Sequence, residues 1–446
     1  MKKPKKKSEL DLQWKIVGGI IAGIFLGLIF NKTFGPDIQS GTGFVLKVVF
    51  GYGGDIFIRL LKMLIIPLVF ASIFMAIINV GNLREIGKIG LKTVMYYLIT
   101  TALAVVVGML LVNIIHPGVG IDQGVLSNLN IHTSVPEKVS TQNVAERGAF
   151  VIIIDTLIDM IPKNPIAAMA KGDILQVIFF TIFFAIITGL VGKESEAIVN
   201  VVAGLDKIMM RAVMVIMVIA PYCIFCIVTA IFMDLGIEAF VALGKYAITV
   251  LLGLTIHAGI TLPLLVMIFG RYNPFGLLKA VSPAIMTAWT TASSAATLPL
   301  TMDCLEKRAG VERRIGDFVL PLGATVNMDG TALYESVAVI FIAELLGIHV
   351  TIGTQIVIFF TATLAAIGAA AIPSAGLVTM GIVLTAAGLP LEGIGLILAI
   401  DRVLDQFRTA VNVWGDTSIA VIIGRMENAI IQKREDMSPH NTTNSS

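Results

Sequence analysis

The stretch "PLGATVNMDGTALYES", Pro321–Ser336, decides how this chain is read. It lies inside a long apolar segment, yet it carries Asn327, Asp329, Thr331 and Glu335, with a glycine at 330. A charged group at the centre of a bilayer costs about 2.5–3.5 kcal/mol on insertion scales, and such groups normally mark ion or substrate pathways. What the stretch is for therefore depends on whether its surroundings place it at membrane depth.

Composition places it there. The 446 residues are 56% hydrophobic and 14% charged, with a mean hydropathy of +0.90, against roughly 25% charged residues in soluble domains. Apolar runs of about 20 residues, the length that crosses a bilayer as a helix, recur. The alternating pattern of a membrane barrel is absent. Spans are predicted at about 13–32, 43–79, 92–115, 150–191, 206–233 and 239–269, the fourth interrupted by the prolines of "DMIPKNPIAAMAKGD". The basic head "MKKPKKK" precedes an apolar segment from Ile16. No small-x-small cleavage site follows, so it reads as a retained first span. Cys223 and Cys226 have CxxC spacing but no second ligand pair. Of five histidines only His257 falls within a span, where a packing role is expected.

After residue 270 the pattern changes. Residues 273–310 hold two apolar pieces too short to span, around the tip "TTASSAATLP". The segment 314–346 is interrupted by the opening motif. A second pair of short helices flanks "AAAIPSAG", and a long helix follows at about 392–430. Lys and Arg cluster at 2–7, 84–92, 207–211, 271–279, 307–314 and 433–434. All fall on the cytoplasmic side if the N-terminus is cytoplasmic and the two hairpins enter from opposite faces. The expected fold is all-α: eight transmembrane helices and two re-entrant helical hairpins in inverted repeats. Broken helices of this kind mark secondary transporters, whose site lies near the midplane.

The last helix contains "DRVLDQFRTAVNVWGD", Asp401–Asp416. At roughly 100° per residue, Arg408 lies about −60° from Asp405, Thr409 about +40°, Asn412 about −20°, Asp416 about +20° and Asp401 about −40°. These polar groups share one face. Arg408 offers a planar fork that suits a carboxylate, and Asp405 one turn earlier suits an ammonium. A ligand with both charges is an amino acid. In "NMDGT", Gly330 permits non-helical angles, so an unwound patch is expected. Its carbonyls, with Asn327 and Asp329, would supply the hard oxygens that Na⁺ needs. Glu335 is either a proton carrier or a carboxyl hydrogen-bonded to a neighbour. Ser293 and Ser294 supply hydroxyls and free amides at the first tip. No nucleophile–base set or cofactor fingerprint points to an enzyme, and no nucleic-acid partner is expected.

The serine-rich tip, "NMDGT" and the D-x-x-R-T-x-x-N-x-x-x-D pattern of the last helix resemble the dicarboxylate/amino acid:cation symporter family, the glutamate transporters, over essentially the whole chain. The resemblance implies a homotrimer in lipid, in the cell (inner) membrane with both termini cytoplasmic, each protomer moving its transport domain as an elevator. It implies a basic N-terminus at 1–12 and a scaffold at 13–91 and 149–233. The transport domain would take span 3 (92–115), span 6 (234–270) and the core 271–433, with an extracellular loop at 116–148 and a disordered tail at 434–446. Arg408 with Thr331 would hold the side-chain carboxylate of glutamate or aspartate, and Asp405 its amino group. Asn412, Thr409, Ser293 and Ser294 would hold the main-chain part, with Ile372 and Gly376 closing over it. One sodium site would use Asp416, Asn412 and Gly323. A second would use Asp329, Asn327, Tyr97, Thr100 and Thr101, and a third the carbonyls near Thr325 and at Ala366, Ile367 and Ala369. Glu335 resembles the animal members, which co-transport a proton. Archaeal members carry an arginine where this chain has Ala292, and animal members one where it has Gln406. This chain has neither, which leaves the charge balance of the site open. A C4-dicarboxylate, or a neutral amino acid or cystine, is the alternative substrate.

Overall fold

The computed structural model describes residues 7–35, 41–81, 87–119, 154, 158–368 and 376–430. Most of the expected N-terminal basic segment, the 116–148 loop from 120 onward, Ala369, Ile372 and the 434–446 tail lie outside them. The described residues are helical, with one isolated antiparallel bridge between Val311 and Ile430.

Three long helices open the chain: α1 (Lys7–Phe34), α2 (Gly41–Gly81) and α3 (Gly87–Ile115). After a short α4 (Pro165–Lys171) come α5 (Ile174–Val191) and α6 (Glu196–Leu235). Helix α6 starts ten residues before the expected 206, at Glu196. Helix α7 (Glu238–Ile256) runs on to Gly270 through π-helical turns at His257–Thr261 and Val266–Gly270. Six helical stretches among the described residues are long and apolar enough to cross a membrane. In the last of them, Arg313–Leu345, residues 326–343 are all buried within the protein.

Local chemistry sets the ends of the helices. Asn164 precedes Pro165, and its side chain accepts from the amides of Ile166 and Ala167 at 3.0 and 3.1 Å. Asn273 does the same for α8 (Pro274–Thr291), accepting from Phe275 and Gly276. An N-cap side chain followed by proline at the first helical position satisfies donors that the helix leaves open. On α1, Gly19, Gly23 and Gly27 recur every fourth residue. A Cβ at each would meet α6 backbone oxygens, those of Pro221, Phe225 and Thr229, at 2.6–2.9 Å. Small residues at this spacing let two helices approach closely without a polar driving force.

The C-terminal half consists of paired and broken helices. Helix α8 packs against α9 (Ser294–Lys307), and α12 (Ile352–Ala365) against α13 (Gly376–Ala386). Between these pairs lie α10 (Arg313–Val326) and α11 (Asp329–Leu345), and α14 (Ile394–Met426) closes the chain. Helix α14 packs against α3, α6, α7, α8, α10, α11 and α13, so its polar stripe is sealed inside protein. The interruption of the seventh span falls at Asn327 and Met328, with ψ of 84° and 60°.

That position corrects the reading of Gly330. The glycine lies inside α11 with ordinary helical geometry, and it is not the residue that unwinds the chain. A Cβ there would stand 2.6 Å from the carbonyl oxygen of Arg408 and 3.0 Å from its Cα. Gly330 is small so that α11 can touch the backbone of α14.

Candidate functional site

The first half of the site is built around two buried carboxylates. Asp329, the first residue of α11, accepts from Thr101 Oγ1 of α3 at 2.8 Å through Oδ1. Its Oδ2 lies 3.2 Å from His257 Nε2 on α7. Asp416 on α14 accepts from Asn327 Nδ2 at 3.0 Å. Asn327 Oδ1 in turn accepts from Thr100 Oγ1 at 3.1 Å. Tyr97 donates to the Val319 carbonyl at 2.7 Å, and a Cβ on Gly323 would collide with its hydroxyl oxygen and with Asp416. The fold brings Tyr97, Thr100, Thr101, Gly323, Asn327, Asp329 and Asp416 together. Among the described residues Asp416 has no Lys, Arg or His partner.

Thr325 stands apart: its side chain is exposed, and its hydroxyl donates to the carbonyl of Leu322 at 3.1 Å. Ala366 and Ile367 form a short turn that packs against α10. Ala369 and Ile372 are not among the described residues.

The second half is a charge cluster on α14. Arg408 Nη2 donates to Asp401 Oδ1 at 3.0 Å and to Asp405 Oδ1 at 2.9 Å. Its guanidinium carbon lies 3.8 Å from the centre of the Tyr334 ring, and the Tyr334 hydroxyl donates to Asp401 at 2.7 Å. A desolvated cation over an aromatic face is worth about 2 kcal/mol or more. Arg408 is 1% exposed, and its Nε and Nη1 have no partner among the described residues. Nη1 faces the start of α13, where a Cβ on Gly376 would meet it at 2.5 Å.

Asn412 links the halves. Its Oδ1 accepts from the Gly330 amide at 2.8 Å, and its Nδ2 lies 3.4 Å from Thr331 Oγ1. Thr409 donates to the Asp405 carbonyl within its own helix at 2.8 Å. At the first tip Ala292 adopts a left-handed conformation, φ 47°, and Ser293 caps α9, its hydroxyl oxygen accepting from the Ala296 amide at 3.2 Å. Ser294 is buried behind it. Glu335, wholly buried, accepts from Thr379 of α13 through Oε1, while Oε2 has no partner among the described residues.

Four members of the site escape sequence reasoning. Tyr334 lies in the opening stretch but reads as apolar filler. Thr379 belongs to a helix without polar pattern. Arg402 pairs with Asp405 Oδ2 at 3.1 Å through Nη1, yet it sits at the edge of the α14 stripe. His257 is not the satisfied packing residue expected. It faces Asp329, and its Nδ1 has no partner among the described residues. The π-helical turn at His257–Thr261 also lets the Ala258 carbonyl accept from Trp414 Nε1 at 3.0 Å. Such bulges are frequent at functional sites.

The model of the sodium:dicarboxylate symporter family matches residues 12–426, nearly the whole of the architecture just described. The chain belongs to the sodium:dicarboxylate symporter family. Relatives in this family include an excitatory amino acid transporter of Caenorhabditis elegans, 37% identical over 440 residues that span 91% of this chain and 86% of the relative. Human excitatory amino acid transporter 2 is 38% identical over 452 residues, 91% of this chain and 77% of its own. The proton/sodium-glutamate symport protein of Geobacillus stearothermophilus is 33% identical over 419 residues, 94% of this chain and 95% of its own. Family membership and the apolar helices make this chain a multi-pass membrane transporter of the symporter class.

Proposed function

We propose that this chain takes up acidic amino acids, L-glutamate and L-aspartate, driven by Na⁺ and with H⁺ as a second coupled ion. The observation that carries the proposal is Arg408. A guanidinium held in place by Asp401, Asp405 and the Tyr334 ring keeps two buried donors, Nε and Nη1, with no protein partner among the described residues. Buried donors without a partner are costly, and an incoming carboxylate would satisfy Nη1, which faces the start of α13. Asp405, beside it, is placed for the ammonium. Thr331 and Asn412 lie at the same level of α11 and α14, where they would meet the rest of the ligand.

Sodium is cargo here, and the donor set suits it: hard oxygens, with no cluster of three His, Cys, Asp or Glu among the described residues. An ionised carboxylate buried without a cation costs several kcal/mol. Asp416 is buried in this way, and a sodium ion held with Asn412 and the Gly323 carbonyl would offset it. Asp329, Asn327, Tyr97, Thr100 and Thr101 would form the second sodium site. Glu335 would carry the proton, which its partnerless Oε2 can accept.

The site residues come from α3, α7 and α8–α14, and none of them from α1, α2, α5 or α6. This supports an elevator in which the first set moves as one body against the second. Large apolar side chains exposed on α5 and α6, such as Phe183 and Tyr222, would face lipid or sister protomers of a trimer. A C4-dicarboxylate is the second reading, favoured by Arg402, which already satisfies one oxygen of Asp405. Uptake of labelled L-aspartate, L-glutamate and succinate into proteoliposomes separates the two readings. A Na⁺ gradient should drive the amino acids strongly and succinate weakly. Uptake of succinate alone, or uptake that needs no Na⁺, would refute the proposal.

A further inference from the structure

Four charged side chains lie within eight residues of α14: Asp401, Arg402, Asp405 and Arg408. They are paired with one another, and none is more than 10% exposed. The two arginines are held very differently. Arg408 is fixed three ways, by Asp401, by Asp405 and by the Tyr334 ring. The one partner of Arg402 among the described residues is Asp405, through the single Nη1–Oδ2 contact of 3.1 Å. The Arg402 Nη2 is buried without a partner. One arginine is thus anchored and the other tethered, and the tethered one occupies an oxygen of the carboxylate that the proposed function reserves for the substrate's ammonium.

A carrier meets conflicting demands at such a carboxylate. With substrate bound, Asp405 must be open to an ammonium. Without substrate, the carboxylates of Asp401 and Asp405 would share the one guanidinium of Arg408 and leave a net buried negative charge, which costs several kcal/mol. We infer that Arg402 is the internal counter-cation of Asp405 in the substrate-free part of the cycle, and that the ammonium of the substrate takes its place. The inference rests on the proposed function, because it needs a ligand with an ammonium. The long side chain suits the exchange: only one hydrogen bond has to break, and four methylene and guanidinium bonds let the head swing aside. Asp401 and Tyr334 keep Arg408 in place meanwhile, so that the carboxylate anchor does not follow.

The inference separates two transport modes. Exchange of internal for external L-aspartate cycles only the loaded carrier. Net uptake also requires the substrate-free carrier to return. The experiment compares both modes in proteoliposomes for the wild type, Arg402→Met, Arg402→Gln and Arg402→Lys, with size-exclusion profiles to establish that each variant is folded. The neutral variants should lose about tenfold or more in net uptake relative to exchange. Their KM for L-aspartate in exchange should fall, since no tethered cation competes with the ammonium. Arg402→Lys should recover much of the net uptake. Equal loss of both modes with no recovery by lysine, unchanged net uptake in the neutral variants, or neutral variants that no longer fold would each overturn the inference, because each means that Arg402 is either dispensable or needed in every state. Wild-type protein that transports neither acidic amino acid would instead refute the proposed function, before any variant is made.

Discussion

Replacing Gly330 by alanine puts one methyl group where α11 touches α14. That carbon would stand 2.6 Å from the Arg408 carbonyl oxygen, where ordinary contact begins at 3.4 Å, and 3.0 and 3.2 Å from the Arg408 Cα and carbonyl carbon. All three are backbone atoms, so no side chain can rotate away. The helices must separate by several tenths of an ångström at the level of Arg408. The same shift stretches the 2.8 Å bond from the Gly330 amide to Asn412. Overpacking of this kind costs about 1–3 kcal/mol. Taken from the substrate-binding geometry, that amounts to about 5- to 150-fold in affinity. The assay is the KM for sodium-driven L-aspartate uptake in proteoliposomes, with Gly244→Ala as control. Gly244 lies on α7, and a Cβ there meets nothing within 4 Å. The control should transport normally, since alanine is the better helix former. The reasoning fails if Gly330→Ala keeps the wild-type KM.

Further outcomes follow from the same geometry. Asp416→Asn removes a buried charge that has no cationic partner among the described residues. It should raise the Na⁺ concentration for half-maximal uptake at least about tenfold while leaving thermal stability near or above that of the wild type. A sodium titration with wild-type midpoint would count against the assignment. Glu335→Gln keeps the Thr379 contact possible but cannot take a proton. Uptake by the wild type should respond to an inward proton gradient and uptake by the variant should not. Equal responses would remove Glu335 from the proton path. Asp329→Asn should weaken sodium dependence as Asp416→Asn does, and His257→Ala should weaken it less, because Thr101 still orients Asp329. A larger loss in His257→Ala than in Asp329→Asn would contradict that order, on sodium titrations of both.

Much of this was legible in the sequence because polar groups in apolar segments are conspicuous. Asp405, Arg408, Asn412 and Asp416 show their shared face through helical periodicity alone, and the chain folds α14 so that this face is sealed. The prolines and small residues that interrupt the apolar runs announce the paired and broken helices. Other features could not be read in that way. Gly330 suggested unwinding because glycine tolerates unusual angles. Its actual role is steric, and it depends on a helix about eighty residues away. His257 and Thr379 lie in mainly apolar helices, and their partners Asp329 and Glu335 lie 72 and 44 positions distant. Arg402 was in plain view beside Asp401. It falls at the edge of the stripe, and only the folded geometry brings its guanidinium back onto Asp405. Ser293, which the family resemblance assigns to the ligand, also has a local task, its hydroxyl oxygen capping α9.

The central claim is that Arg408 receives the side-chain carboxylate of an acidic amino acid. Its most direct test is sodium-driven uptake by Arg408→Ala beside the wild type, with L-aspartate and a neutral amino acid such as L-serine as paired substrates. The account predicts that the variant loses L-aspartate uptake by at least about a hundredfold, as expected when a buried charge pair loses one partner, while its uptake of the neutral amino acid is unchanged or gained. An Arg408→Ala variant that still concentrates L-aspartate with the wild-type KM would contradict it.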